Sequence, residues 1–124
     1  MSHKIMLVDD EIDCLRMMKL NLEAVGGYHV QVESRAVKAL ETARTFKPDL
    51  IFLDLVMPEM DGSDVACALK ADPQLAKIPV VFLTATVTES EVSQTGQRIG
   101  GQVFLAKPVT VKQLTDCIQQ ILGE

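Results

Sequence analysis

Apolar and polar positions along the 124-residue chain follow two different periods, and these predict strands that alternate with helices. Three short runs are continuously apolar and each is followed by a polar residue: Ile5–Val8 before Asp9, Leu50–Leu53 before Asp54, and Val80–Leu83 before Thr84. Continuous runs of this kind are typical of parallel strands that are covered on both faces. The segment Tyr28–Glu33 alternates instead, which indicates a strand at the edge of a sheet.

The segments between the strands repeat their apolar residues at helical spacing. The first of them predicts a helix whose buried face carries Ile12, Leu15, Met18, Leu22 and Val25. A weaker helix is predicted from about Glu89 to Arg98, because Val92 and Ile99 are its only large apolar residues. Thr110 with Gln113 three residues later has the sequence of a capping box, which opens a last helix.

Five strands that alternate with five helices predict an α/β fold under right-handed crossovers. We expect a doubly wound five-stranded parallel sheet of order 2-1-3-4-5, that is, a flavodoxin-like (βα)5 three-layer sandwich formed by residues 1–124 as one domain. The continuous runs belong in the centre of this sheet. Tyr28–Glu33 and the short last strand, Val103–Ala106, are expected at its two edges.

Charge and composition narrow the classes of partner. A net charge of −5 argues against direct nucleic-acid binding, and the absence of an apolar run long enough to span a bilayer argues against membrane insertion. Cys14, Cys67 and Cys117 are far apart and odd in number, so we expect reduced thiols in a cytoplasmic protein.

Polar residues that could carry chemistry stand where the predicted strands end. The first and third strands are neighbours in the predicted order, so Asp9, Asp10 and Asp54 should converge at one edge of the sheet. Three carboxylates in one cleft repel one another unless they are protonated or neutralised by a cation. Their hard oxygen atoms suit Mg²⁺, which binds through one or two carboxylates, water and substrate phosphate.

Thr84 and Lys107 end the fourth and fifth predicted strands at the same edge. A metal ion, an ammonium group and a hydroxyl group together can neutralise the oxygen atoms of a phosphoryl group during its transfer. A carboxylate can act as the nucleophile, which would make Asp54 an aspartyl phosphate.

Four segments make the chain resemble the receiver domain of two-component response regulators, in particular the single-domain, chemotaxis-regulator-like kind. They are Leu-Val-Asp-Asp-Glu (7–11), Leu-Asp-Leu-Val-Met-Pro-Glu-Met-Asp-Gly (53–62), Leu-Thr-Ala (83–85) and Leu-Ala-Lys-Pro (105–108). Their order and spacing fit the family, and the resemblance covers essentially the whole chain. Either a stand-alone receiver or a receiver cut from a longer protein would have this sequence.

The resemblance implies that Asp54 accepts a phosphoryl group from a phosphohistidine of a sensor histidine kinase or a histidine phosphotransfer protein. It implies that Mg²⁺, or Mn²⁺ in its place, is held directly by Asp10 and Asp54, by Asp9 mainly through water, and by the main-chain carbonyl of Val56. Lys107 would contact a phosphoryl oxygen. The domain would catalyse only its own phosphorylation and dephosphorylation.

The resemblance also implies a switch. Thr84 would move to hydrogen-bond the phosphoryl group, Phe104 would turn inward, and the Lys107–Pro108 bond would be cis. The surface of the fourth helix, fifth strand and fifth helix would then act on a downstream protein, with the domain a monomer or weak dimer. Val56 and Thr86 would overhang the approach of water to the phosphoryl group, and neither orients water well, so we expect a phosphorylated state that lasts many minutes or longer.

Three alternatives stay open at this point. A haloacid-dehalogenase-type phosphatase would need an Asp two residues after the nucleophile, where Val56 stands. A flavodoxin-like electron carrier would need a Ser/Thr/Gly-rich loop after the first strand, where this chain has the acidic run Asp10–Asp13. A degenerate receiver would work only as an unphosphorylated docking module, although all five of the site residues Asp9, Asp10, Asp54, Thr84 and Lys107 are present.

Overall fold

The structure is a computed structural model that describes residues 3–84, 97–99, 102–107 and 109–123, with the main chain alone at 97–99 and 102. Its strands are β1 (His3–Val8), β2 (Tyr28–Glu33), β3 (Leu50–Asp54), β4 (Val80–Thr84), β5 (Gln97–Ile99) and β6 (Gln102–Ala106). Its helices are α1 (Ile12–Val25), α2 (Ala39–Phe46), α3 (Gly62–Ala71) and α4 (Val111–Leu122), and a short 3-10 helix, Ala36–Lys38, precedes α2.

The strands form one sheet in the order β2-β1-β3-β4-β6-β5. All neighbouring strands run parallel except β5, which pairs antiparallel with β6. The five parallel strands confirm the predicted order 2-1-3-4-5, with β6 as the fifth of them. The carboxyl ends of all five parallel strands therefore lie at one edge of the sheet, which we call the carboxyl edge.

Both faces of the sheet are covered, which explains the continuous apolar runs. Successive side chains of a strand point to opposite faces, and β1 divides its residues accordingly. Ile5 and Leu7 pack with α1 and α4, whereas Met6 and Val8 pack with α2 and α3. The result is the predicted three-layer arrangement of helices, sheet and helices.

One edge of the sheet differs from the prediction. The expected helix to about Arg98 is wrong at its end, because residues 97–99 form β5 against β6. The last parallel strand is therefore not at the edge. The helical pattern was weak there, and Gly100-Gly101 is a sequence typical of the two-residue turns that join antiparallel strands. Pairing with the open edge of β6 outweighed local helix preference.

The ends of α1 also differ from the prediction. Leu15, Met18 and Leu22 are buried as expected, but Ile12 is 50% exposed and Val25 is 57% exposed. A helix packs on a sheet along a narrow stripe, and its terminal turns extend beyond that contact. The capping box of α4 is confirmed, since Gln113 N donates to Thr110 Oγ1 at 3.1 Å and Thr110 N donates to Gln113 Oε1 at 2.8 Å.

Several predictions concern residues outside the described ranges. These are the lifetime residue Thr86, the cis-proline Pro108 and the predicted fourth helix before residue 97. Within the part of the chain that is described, no helix has the length and apolar character needed to cross a membrane. The three cysteines carry free thiols: Cys117 is buried, Cys14 is half-buried and Cys67 is exposed.

Candidate functional site

The pairing of β1 with β3 brings three carboxylates together at the carboxyl edge of the sheet. Val8 and Leu53 are register partners, so Asp9 and Asp54 follow them side by side. Asp10 joins them from the first residues after β1. One carboxylate oxygen of each of the three residues lies within 4.8 Å of the other two. Sequence reasoning predicted this acid cluster correctly.

Asp9 is fully buried and uses both of its carboxylate oxygens. Oδ1 accepts a hydrogen bond from the Glu11 main-chain N–H at 3.0 Å, and Oδ2 accepts one from Lys107 Nζ at 2.8 Å. A buried carboxylate is stable only with such partners. Asp10 is exposed, so the cluster has one buried and one open member on the same loop.

Lys107 is the cation of the site. Its Nζ lies 2.8 Å from Asp9 Oδ2, 3.4 Å from Glu11 Oε1 and 3.5 Å from Asp54 Oδ1, and its side chain is only 14% exposed. Burial lowers the pKa of an ammonium group, but the hydrogen bond to Asp9 and the charges of Asp9 and Asp54 outweigh that effect and raise the pKa of Lys107. Lys107 therefore stays protonated at neutral pH.

Asp54 ends β3 and is 6% exposed. Burial, followed by the negative charge of Asp9, raises the pKa of its carboxyl from 3.8 to about 6, and Lys107 only partly opposes this. A carboxylate with a pKa near 6 is ionised at neutral pH, yet it remains easy to neutralise. The site thus places a reactive carboxylate where a further cation would be favourable.

The loop between β3 and α3 is closed by two main-chain hydrogen bonds. Leu55 N donates to Leu83 O at 2.9 Å, and Gly62 N donates to Leu55 O at 2.8 Å. A Cβ atom built on Gly62 would lie 2.9 Å from Leu55 Cα and closer still to the Asp54 main-chain oxygen. Only glycine fits there. Val56, which follows Leu55, is 59% exposed.

Thr84 and Phe104 lie on neighbouring strands. Thr84 ends β4 with 1% exposure, and its main-chain oxygen accepts a hydrogen bond from Lys107 N at 2.9 Å. The half-buried ring of Phe104 stacks on Phe82, with 5.3 Å between centroids. Thr84 therefore shares the carboxyl edge with the acid cluster, whereas Phe104 lies within the sheet.

Two residues at the site were not predicted as site residues. Glu11 contacts Lys107, and its signal was present in the acidic run Asp-Asp-Glu that follows the first strand. Cys14 lies in the first turn of α1, where burial and then the charge of Asp9 raise the pKa of its thiol. Nothing in the sequence pattern distinguished Cys14 from an ordinary core thiol.

The donor set determines what the acid cluster can bind. Three carboxylates whose oxygens lie within 4.8 Å of one another could hold a metal ion. Carboxylate oxygens are hard ligands that suit Mg²⁺, Mn²⁺ or Ca²⁺ better than the softer transition metals. The fold and the site together define a class: a parallel α/β domain with an acid cluster and a lysine at the ends of its central strands.

The chain belongs to the response regulator receiver domain family, whose model matches residues 5–119. The polar-differentiation response regulator DivK of Brucella anthropi is 31% identical over 124 residues, which cover 100% of this chain and 99% of DivK. The alkaline phosphatase synthesis transcriptional regulatory protein PhoP of Bacillus subtilis is 34% identical over 122 residues, which cover 98% of this chain and 49% of PhoP. This chain thus spans about half the length of PhoP.

Structural similarity agrees with the family. A response regulator from Desulfuromonas acetoxidans aligns with a TM-score of 0.81 at 32% identity, over 98% of this chain and 97% of the other. The resemblance to receiver domains of two-component response regulators is confirmed, and so is the predicted fold. The domain is a signalling domain, which sets aside the phosphatase and the electron carrier.

Proposed function

We propose that residues 1–124 form one phosphorylation-switched receiver domain in which Asp54 is the phosphoacceptor. The observation that carries the proposal is the position of Asp54: it is 6% exposed, clustered with Asp9 and Asp10, and 3.5 Å from Lys107 Nζ. The donor would be a phosphohistidine of a sensor histidine kinase or a histidine phosphotransfer protein. The domain would act in the cytoplasm as a monomer or weak dimer.

The proposed step is a nucleophilic displacement at phosphorus. A carboxylate oxygen of Asp54 forms the new P–O bond while the P–N bond to the partner's histidine breaks. The electron pair of that bond stays on the imidazole, which takes up a proton. With a pKa of about 6, Asp54 is mostly ionised at pH 7, as the nucleophile must be. Lys107, kept protonated by Asp9, supplies positive charge beside the oxygens that are transferred.

The acid cluster fits a divalent cation, and we assign Mg²⁺, with Mn²⁺ as a substitute. Asp10 and Asp54 would bind it directly, together with the main-chain carbonyl of Val56. Asp9 would act mainly through water, as in the family that the chain belongs to, and its hydrogen bonds from Glu11 and Lys107 would keep its carboxylate in place for that role. When bound, the ion would neutralise the carboxylates and the phosphoryl oxygens.

The switch would begin at Thr84 and pass to Phe104 through the sheet. Thr84 is joined to β6 by the hydrogen bond from Lys107 N, and Phe104 is on the same strand. A shift of Thr84 toward a phosphoryl group would therefore pull on the strand that holds Phe104 against Phe82. The face that includes β6 and α4 would then present the change to a downstream protein.

The assignment of Asp54 is tested with a small phosphodonor. Purified protein with acetyl phosphate and Mg²⁺ should gain the mass of one phosphoryl group, and hydroxylamine should remove it, as it does from acyl phosphates. Asp54→Ala should gain nothing, whereas Asp64→Asn, which removes an exposed carboxylate in the first turn of α3, should label normally. Full labelling of Asp54→Ala, or no labelling of the wild type, would refute the proposal.

A further inference from the structure

An ion pair outside the acid cluster joins the loop after β2 to the loop after β3. Arg35 Nε donates to Glu59 Oε1 at 3.2 Å, and Arg35 Nη2 donates to Glu59 Oε2 at 2.7 Å. A guanidinium that pairs with both carboxylate oxygens fixes orientation as well as distance. The pair can therefore fix the position of one loop relative to the other.

The Arg35 side of the pair is anchored to the body of the domain. The Arg35 main-chain N–H donates to Glu33 Oε2 at 2.9 Å, and Glu33 Oε1 accepts a hydrogen bond from Thr42 Oγ1 of α2 at 2.6 Å. Glu33 is the last residue of β2. Arg35 is thus tied to a strand and a helix.

The Glu59 side of the pair is a loop with few other polar contacts. Residues 56–60 make no main-chain hydrogen bond to any described residue, and Glu59 has the only side chain among them that makes a hydrogen bond within the described chain. Met57, which is 5% exposed, belongs to the core, and the partly buried Met60 of the same loop packs against that core. Among contacts with described residues, the loop between the bonds at Leu55 and Gly62 is therefore held by the Met57 and Met60 side chains and by the Arg35–Glu59 pair, which is its only polar contact.

The location of the pair relates it to the acid cluster. β2 and β3 flank β1 in the sheet, so a pair between the loops after β2 and β3 spans the carboxyl end of β1. Asp9 and Asp10 follow that end, and Val56 lies in the loop that Glu59 holds. The pair thus joins the two loops on either side of the segment that carries Asp9 and Asp10, and one of these loops contains Val56.

We propose that Arg35 and Glu59 are positioning residues for the metal site: they hold the loop after β3 so that the Val56 carbonyl stays in place beside Asp54. The inference rests on the proposed function, because it assigns a role at the metal site proposed there. It adds two residues that do not themselves contact the metal or the phosphoryl group.

Positioning and simple electrostatics predict opposite results for one substitution. Removing the positive charge in Arg35→Ala should strengthen Mg²⁺ binding if only the local potential matters, whereas removing the negative charge in Glu59→Ala should weaken it. If the pair positions the loop, both substitutions release the same constraint and both weaken binding. The double variant should then bind no more weakly than either single one, since residues that act as a pair are not additive.

The test measures Mg²⁺ affinity by titration calorimetry at fixed ionic strength. Arg35→Ala, Glu59→Ala and the double variant should each bind about two- to five-fold more weakly, which corresponds to roughly 0.4–1 kcal/mol. The effect is modest because the two side chains are 51% and 44% exposed. Mg²⁺ binding to Arg35→Ala that is equal to or tighter than that of the wild type would overturn the inference.

Arg44→Ala is the matched control. Arg44 also forms an ion pair of 2.7 Å, and its side chain is 50% exposed. Its partner Asp72 follows α3, toward the amino ends of the parallel strands and away from the acid cluster. This variant loses the same atoms and the same charge, and it should bind Mg²⁺ like the wild type. If Arg44→Ala lost as much Mg²⁺ affinity as Arg35→Ala, the loss would come from the change in net charge or in overall stability. That result would contradict the inference.

A second readout does not depend on the metal. Main-chain ¹⁵N order parameters of residues 56, 57, 59 and 60, measured with EDTA present, should fall in Arg35→Ala and Glu59→Ala and stay unchanged in Arg44→Ala. Unchanged order parameters would refute positioning. Wild-type protein that binds no Mg²⁺ would refute the proposed metal site and the role of the pair there, and the order parameters would then decide only whether the pair holds the loop.

Discussion

The surroundings of Asp54 raise the pKa of its carboxyl group. It ends a buried strand, so its charged form loses hydration, and the neighbouring Asp9 repels it as well. Lys107 offsets these effects only in part, because its shortest contact is with Asp9 rather than with Asp54. The metal-free site is therefore destabilised in its charged form, which makes the charge state of Asp54 measurable through folding stability.

We expect the stability of the metal-free protein to depend on pH through Asp54. Its folded pKa of about 6 lies above the 3.8 of an ordinary aspartate. The stabilisation from its proton is complete below about pH 4 and is lost as the pH rises through about 6. Relative to Asp54→Asn, the wild type should lose at most about 3 kcal/mol between about pH 4 and pH 7.

Urea unfolding in EDTA at several pH values measures this difference. Asp64→Asn, which changes an exposed carboxylate, serves as the control, and its stability relative to the wild type should stay nearly constant over the same range. A difference between Asp54→Asn and the wild type that does not vary with pH would show that Asp54 has an ordinary pKa in the folded protein.

We predict that Val56 affects how long the proposed phosphorylated state lasts. Its side chain is 59% exposed and has no hydrogen-bonding atom, so it cannot orient a water molecule for hydrolysis. Positioning of a reactant is a proximity effect, and adding it should speed the reaction. Val56→Asn should therefore shorten the lifetime of the phosphoprotein several-fold and leave Mg²⁺ affinity unchanged, because residue 56 is proposed to bind through its main-chain carbonyl.

The lifetime is measured as loss of phosphate from purified phosphoprotein over time. Val56→Ala is the matched control, since it shortens the side chain without adding a polar group, and it should decay at nearly the wild-type rate. Decay of the wild type within seconds, or equal rates for Val56→Asn and the wild type, would contradict this role.

At the scale of elements, the junction of β3 and α3 determines where Asp54 lies. The first residue of α3, Gly62, donates its N–H to Leu55 O, so the helix begins directly against the end of the strand. The close approach leaves no room for a Cβ atom, because the main chain of Asp54 and Leu55 lies next to it. The position of Asp54, the proposed phosphoacceptor, is thus linked to the start of a helix.

Gly62→Ala tests that junction. In an ordinary helix the change from glycine to alanine stabilises by up to about 1 kcal/mol. Here it should destabilise by about 1–3 kcal/mol, because main-chain atoms must shift to admit the methyl group. Phosphorylation should slow as well, since Asp54 would be displaced.

Chemical denaturation and phosphorylation by acetyl phosphate measure the two effects of Gly62→Ala. Ser63→Ala, one residue further along and exposed, is the control and should change neither quantity by more than a small amount. A Gly62→Ala protein that is as stable as the wild type would show that the junction tolerates a side chain.

At the scale of the whole molecule, the acid cluster is a concentration of negative charge in a protein whose net charge is already −5. The topology places this cluster at the switch point between β1 and β3, where helices leave the sheet in opposite directions. Clustering these carboxylates destabilises the folded protein through repulsion, and a bound cation should relieve part of that repulsion.

Mg²⁺ should accordingly stabilise the folded protein. A ligand that binds only the folded state adds about 1.4 kcal/mol at ten times its dissociation constant, which for a domain of this size raises the melting temperature by a few degrees. Asp10→Asn should show a smaller response, because it removes a proposed ligand. The same substitution should raise stability in EDTA, because it relieves repulsion.

Thermal unfolding with and without millimolar Mg²⁺ measures both effects. Asp64→Asn again provides the control, and it should respond to Mg²⁺ as the wild type does. An equal response of Asp10→Asn and the wild type would exclude Asp10 from the site, and no response of the wild type would argue against the metal site itself.

The sequence by itself determined the strand runs, the order of the parallel sheet and the acid cluster. Buried parallel strands require continuous apolar runs, and right-handed crossovers leave few ways to order five such strands. Once the order is known, residues at strand ends must meet, so Asp9, Asp10, Asp54 and Lys107 could be placed together from local patterns alone.

Only the tertiary structure decided which contacts those residues make. Distances between segments far apart in the chain set the exposure of Ile12 and Val25, the preference of Lys107 for Asp9 and the pairing of Arg35 with Glu59. The strand at 97–99 pairs with a segment close to it in sequence, and there pairing with the open edge of β6 prevailed over a weak helical pattern. The raised pKa of Asp54 also depends on burial and on neighbouring charges. Local periodicity contains no information on such distances, because packing between elements sets them.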